Sequence, residues 1–189
     1  MIPIEEPTAA RRPRSFVLFN LGFRPFYLLA ALFSAVAIAV WAEAFARGGS
    51  FGYLPPSLWH QHEMVFGFAL AVIAGFLLTA GRVWTGLPTP DGLPLALLVL
   101  HWLAARVLLY TGPAPLAAVV DGAFPFVLAA VMARLILGSR NARNYFVIVL
   151  LCALGAANVV FHLGFGALPV KAALYLILTL VLVMAGRVV

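Results

Sequence analysis

From Trp59 to Ala80 the chain reads WHQHEMVFGFALAVIAGFLLTA. The 18 residues from Met64 to Gly81 carry no charge, which is enough for a helix to cross the hydrocarbon core of a bilayer while keeping its backbone hydrogen bonds internal. The start of the stretch differs, because His60, His62 and Glu63 place three ionisable groups in about one turn. The segment therefore predicts a membrane-spanning helix with a polar mouth.

The same pattern extends in both directions. Hydrophobic residues make up 65% of the chain and charged ones only 10%, against about a quarter charged in soluble domains, so a water-soluble fold could not hide the apolar surface. Turn-forming residues divide the apolar runs at Gly48-Gly49, Pro55-Pro56, Pro88 to Pro94, Gly112-Pro113, Gly138 to Asn141 and Gly164 to Pro169. The expected fold is an all-α, polytopic bundle of six transmembrane helices, near 25–45, 60–81, 94–110, 115–137, 144–163 and 169–189, after an N-terminal segment 1–24. Arg11, Arg12 and Arg14 precede the first run as in a signal peptide. The run is too long for a signal core, carries Arg24-Pro25 and lacks a small-residue cleavage site, so it reads as an uncleaved first span.

Basic residues set the expected orientation. Arg11, Arg12, Arg14, Arg24, Arg82, Arg134, Arg140, Arg143 and Arg187 fall on one side of these spans, and Arg47, Arg106 and Lys171 on the other. Cytoplasmic loops are enriched in Lys and Arg, so both termini are expected in the cytoplasm and the protein in a bacterial inner membrane. The net charge of +6 is spread singly over span ends and forms no stripe for nucleic acid. The sequence stops inside the sixth apolar run at Val189, which suggests a fragment or truncated form. Ala80-Gly81-Arg82-Val83 and Ala185-Gly186-Arg187-Val188 echo one another, too briefly to define a repeat. Cys152, the one cysteine, has no partner for a disulfide or thiolate cluster and reads as a small buried hydrophobe.

Ionisable groups inside spans are costly and mark function by default. His60, His62 and Glu63 open the second span, His162 closes the fifth, and Asp121 and Arg106 lie at a similar depth in the fourth and third. On a regular helix His60, Glu63, Met64, Gly67, Ala71 and Gly75 share one face, with His62 nearly opposite. Either His60 belongs to the preceding turn, or the two histidines serve different sites. The small residues Gly67, Ala71 and Gly75 read as a close helix-packing face. Gly155, Asn158 and His162 form a stripe on the fifth span, placing the Asn158 amide to orient the His162 ring. Imidazole suits iron and copper, histidines on facing helices hold haem in bundles, and the Met64 thioether suits copper. His60, His62, Met64 and His162 are thus the candidate metal ligands, with Glu63, Asn158 and Asp121 as candidates to orient them. Arg106 and Asp121 are also expected to pair as a structural bridge, and His101 stands alone near mid-membrane.

Three blocks carry a family resemblance: Asn20-Leu21-Gly22-Phe23-Arg24-Pro25-Phe26, Trp59-His60-Gln61-His62-Glu63-Met64-Val65-Phe66-Gly67 and Trp84-Thr85-Gly86, with Asn158 and His162 further on. Together they resemble the NnrS family of haem- and copper-containing membrane proteins of the nitric oxide response. The resemblance covers essentially the whole chain but about the first half of the family, whose members have roughly twelve helices. It implies haem and copper ligation with His60, His62 and His162 as candidates, nitric oxide as a partner, and a second half or another chain completing the bundle. It names no reaction. No phosphate loop, activated nucleophile or cysteine pair points to hydrolase or transferase chemistry. The competing classes are a transporter or channel, in which polar groups line a path, and a structural subunit without metal.

Overall fold

The computed structural model describes residues 17–186, so Arg11, Arg12, Arg14 and Arg187, and with Arg187 part of the second echo segment, lie outside the described residues. After a short 3-10 turn at Val17–Asn20, six helices follow: α1 Phe23–Arg47, α2 Pro56–Thr85, α3 Gly92–Thr111, α4 Ala114–Gly138, α5 Tyr145–His162 and α6 Leu168–Ala185. All six are long and apolar enough to cross a membrane, and no strand occurs among the described residues. Local chemistry sets their ends. Pro56, Pro115 and Pro169 occupy first turns, where a missing N–H costs nothing. Gly48 and Gly86 close α1 and α2 in the left-handed region at φ 69° and 68°, with N–H groups on Ala44 O and Arg82 O.

Helix α2 is the centre of the bundle and is far more buried than α1, whose outer side is largely exposed. Its Phe66, Leu70, Ala74 and Leu77 meet a core that includes Phe26, Trp102, Leu128 and Met132. The small-residue face packs as expected, since a Cβ on Gly75 would stand 2.8 Å from the Tyr27 ring of α1. Outward faces carry Leu28, Leu32, Val149, Val181 and Leu182, side chains that lipid solvates. Cys152 lies on such a face rather than in the core, because the interior of α5 is occupied by Leu151, Leu154 and Gly155.

The connecting segments sort by end. The 48–55 loop meets the end of α3 through the Phe51 and Tyr110 rings and reaches the end of α5 through Tyr53 and His162. At the opposite end the Phe23 N–H reaches Thr79 Oγ1, and Asn141 Nδ2 donates to Trp84 O at 2.9 Å. Two motif blocks are explained there by packing. A Cβ on Gly22 would lie 2.4 Å from Leu78 Cβ, and Thr85 Oγ1 donates to Gly81 O and accepts from Leu87 N–H to finish α2.

Two irregularities shape the histidine end. Residues Glu63–Ala69 of α2 form a π-helical turn, a feature that recurs at functional sites. In α4, Pro125 supplies no N–H, so the Asp121 carbonyl four residues earlier loses its helical partner.

A candidate metal centre

Where α2 passes into its π turn, His62, Glu63, Phe66 and Gly67 all face inward, each buried. This differs from the regular-helix expectation that Glu63 shares a face with His60. His60 instead leaves the interior and stacks on Trp41 of α1, ring centroids 4.2 Å apart at 21°, and Met64 is only partly buried. The two histidines therefore have different surroundings, and neither His60 nor Met64 joins the cluster formed by His62.

Around His62 three helices converge. Its Nε2 lies 2.9 Å from Asn158 Oδ1 and 3.0 Å from Asp121 Oδ2. Asn158 Nδ2 donates to the same Asp121 Oδ2 at 2.8 Å, leaving its carbonyl to face the imidazole, so His62 carries its proton on Nε2. The expected partner of Asn158 was His162; the hydrogen bond goes to His62 and Asp121 instead. The Asn158 amide also reaches Asp121 O at 3.3 Å, the carbonyl that Pro125 leaves free. His162 completes the group, its Nε2 2.9 Å from Asp121 Oδ2 and its ring centroid 5.4 Å from that of His62.

Charge is carried by Arg106 of α3, which pairs with Glu63 and with Asp121, as expected for the latter. Its guanidinium also lies over Trp102, whose indole N–H donates to Gly67 O at 3.1 Å. One cation and two carboxylates (+1 and −2) give the cluster a net charge of −1 when both imidazoles are neutral. In a membrane interior that excess favours a bound cation. Three buried polar atoms of the cluster have no hydrogen-bond partner among the described residues: His62 Nδ1, Glu63 Oε1 and Arg106 Nε. Buried polar groups are nearly always paired, so each asks for an explanation such as an ion or water.

Tyr53 was not singled out in the sequence. It stands in the loop before α2, and its hydroxyl lies 2.7 Å from His162 Nδ1. Burial of its hydroxyl end, reinforced by the Glu63 carboxylate, pushes the phenol up to about 12, although more than a third of the residue remains exposed. No local pattern marks it, because the contact joins residues 109 positions apart. His101, by contrast, has a structural partner in Val120 O at 2.8 Å, next to the proline-broken part of α4.

His62, Asp121 and His162 can place one ligand atom each within 4.8 Å of one another. With metal–ligand bonds of about 2.1 Å, neighbouring ligands at right angles sit about 3.0 Å apart, which matches the two nitrogen–oxygen separations of 3.0 and 2.9 Å. A bare ion in place of the two Nε2 protons therefore matches those two separations. A haem does not fit between the two imidazoles: both Nε2 atoms rest on one carboxylate oxygen, and the Phe66 and Phe161 rings lie 5.0 and 4.6 Å from the His62 ring.

Replacing Asn158 by Leu is expected to lower stability by about 1–3 kcal/mol, because it strips partners from His62 and from the Asp121 carbonyl without offering new ones. Unfolding by denaturant in mild detergent measures it. An unchanged midpoint would mean that the amide does not hold the cluster together.

These features define a multi-pass membrane protein with a buried histidine–carboxylate cluster at one end of its bundle. A model of the NnrS protein family matches residues 17–189, and the chain belongs to the NnrS family. No curated protein and no solved structure matches it.

Proposed function

We propose that this NnrS-family chain acts in the nitric oxide response through a redox metal held at the outer end of its helices. The observation that carries the reading is the convergence of two imidazoles and a carboxylate from α2, α4 and α5 in a buried, net-negative cluster. His62, Asp121 and His162 supply the donors; Arg106 and Asn158 hold the carboxylate, and Tyr53 steadies His162. The family resemblance implies haem and copper, and nitric oxide as the small molecule met there. A haem would take its ligands from outside this trio. When bound, the metal supplies an electron-accepting centre to which a small neutral ligand can coordinate. The chain's own part is to orient the imidazoles, balance the charge and shut out bulk water.

Orientation belongs to the same proposal. Among the described basic residues, Arg24, Arg82, Arg134, Arg140 and Arg143 lie at the end opposite the histidines, and Arg47, Arg106 and Lys171 at the histidine end. The positive-inside rule then puts the cluster toward the periplasm of a bacterial inner membrane and both termini in the cytoplasm.

Two measurements test the proposal. Reporter fusions at Arg47 and Arg140 are expected to report opposite sides of the membrane, and agreement between them would overturn the topology. Metal analysis and absorption spectra of the purified chain, before and after anaerobic addition of nitric oxide, are expected to show bound metal and a spectral change. A folded chain that holds no metal and gives no response would remove the redox reading.

A further inference from the structure

We infer that His62, Asp121 and His162 form a non-haem ferrous site, a single Fe²⁺ ion bound by two histidines and one carboxylate. The inference rests on the redox reading above and deepens it by naming the ion.

Donor chemistry comes first. Two imidazoles and a carboxylate, with further positions left to small molecules, are the ligand set of non-haem ferrous centres. The trio contains no sulfur donor, Met64 is only partly buried, and Cys152 is exposed on the outside of the bundle. That absence weighs against cuprous copper, which prefers thiolate and thioether ligands. Cupric copper takes nitrogen and oxygen donors in a tetragonal array, and the trio supplies two nitrogens and one oxygen, so copper uptake is the measurement that separates the two ions.

Charge does not select the ion, but it fixes where the protons go. A divalent ion replacing the two Nε2 protons of neutral histidines would leave the total charge unchanged if both became imidazolates, which buried imidazoles do not favour. Each histidine instead moves its proton to Nδ1 and the ion adds its full charge, taking the cluster from −1 to +1. For His162 the proton shift is provided for, since the Tyr53 hydroxyl can donate to Nδ1 in one state and accept from Nδ1–H in the other.

Space for an additional ligand lies on one side. An open apolar groove of about 310 Å³ on the outer surface of the bundle is lined by Gly122, Phe126, Val159 and His162, the last a member of the trio. Its wall at Gly122 is open enough that an added Cβ would meet only Val159, at 3.4 Å. A small neutral molecule such as nitric oxide dissolves in such a lining, and a charged one does not.

The test uses the whole chain, purified in detergent, stripped with chelator and loaded anaerobically with Fe²⁺ alone. The expected result is one ferrous ion per chain without a Soret band, and on addition of nitric oxide the half-integer-spin EPR signal of a high-spin ferrous nitrosyl. His62→Gln and His162→Gln should each weaken iron binding by more than about 100-fold, beyond what changes outside the ligand shell produce, while Tyr53→Phe should weaken it by about 10- to 100-fold and His60→Ala should leave it unchanged. Monodispersity and far-UV circular dichroism establish that each variant is folded; should one glutamine variant misfold, the other carries the test. Iron binding undiminished in a folded His162→Gln chain would overturn the inference. Cu²⁺ retained in place of Fe²⁺, or a Soret-absorbing haem lost with the trio, would overturn it and leave the redox reading standing. A folded chain that takes up no metal of any kind would overturn both.

Discussion

Arg106→Met is expected to destabilise the folded chain by about 3–5 kcal/mol, the range seen when one partner of a buried ion pair is removed. Arg106 is the one cation that the described structure places between Glu63 and Asp121, and both carboxylates are buried. Methionine keeps the apolar stem against Trp102 but strips each carboxylate of its partner, so one of them must take up a proton or draw in water. Arg106→Lys should recover only part of the loss, since a single ammonium cannot span two carboxylates as a planar guanidinium does. Denaturant unfolding of the wild type and both variants in the same micelles provides the comparison. If methionine changed stability by no more than an ordinary surface substitution, about 0.5 kcal/mol, the ion triad would have no structural weight.

Gly67→Ala tests the same region by volume instead of charge. A Cβ there would lie 2.3 Å from Glu63 Oε2, 2.7 Å from the Phe33 ring and 3.0 Å from an Arg106 nitrogen. A flexible side chain could step aside cheaply, but Glu63 is fixed by Arg106, and Phe33 packs edge-on against Trp102 at 5.4 Å. The expected cost is about 1–3 kcal/mol, as for other insertions into a close-packed interior. Gly67 O also accepts the Trp102 indole, so the shift should appear as a change in tryptophan fluorescence. Wild-type stability with wild-type fluorescence would show that α2 lies farther from α1 and α3 than described.

Six helices were legible in the sequence because crossing a bilayer is a local requirement. Each segment must be apolar along its own length and satisfy its own backbone, so composition and turn residues are enough to find it. The family was legible for a similar reason, since its motif blocks are short and contiguous. Packing accounts for two of them, at Gly22 against Leu78 and at Thr85 closing α2, and the third bears the histidines. The sequence also pointed to His62, His162, Glu63 and Asp121 through their depth, because ionisable groups in a span are rare enough to stand out singly, and to Asn158 through the stripe it shares with His162.

What depth could not decide was which of these side chains meet. A period of 3.6 residues set Glu63 with His60, whereas the packing of α2 against its neighbours buries Glu63 beside His62 and leaves His60 stacked on Trp41. Asn158 was matched to His162 on its own helix, but the neighbouring helix brings Asp121, whose carbonyl Pro125 has freed, and the amide turns there and to His62. Tyr53 could not be found at all, since its contact with the end of α5 joins residues 109 positions apart. The sequence determined by itself the spans, the family and the depth at which polar groups sit, because each depends on neighbours along the chain. Tertiary structure alone decided the ligand trio, the Arg106 bridge and the separation of His60 from His62, because hydrogen bonds and ion pairs between helices depend on rotation and distance that no single helix specifies.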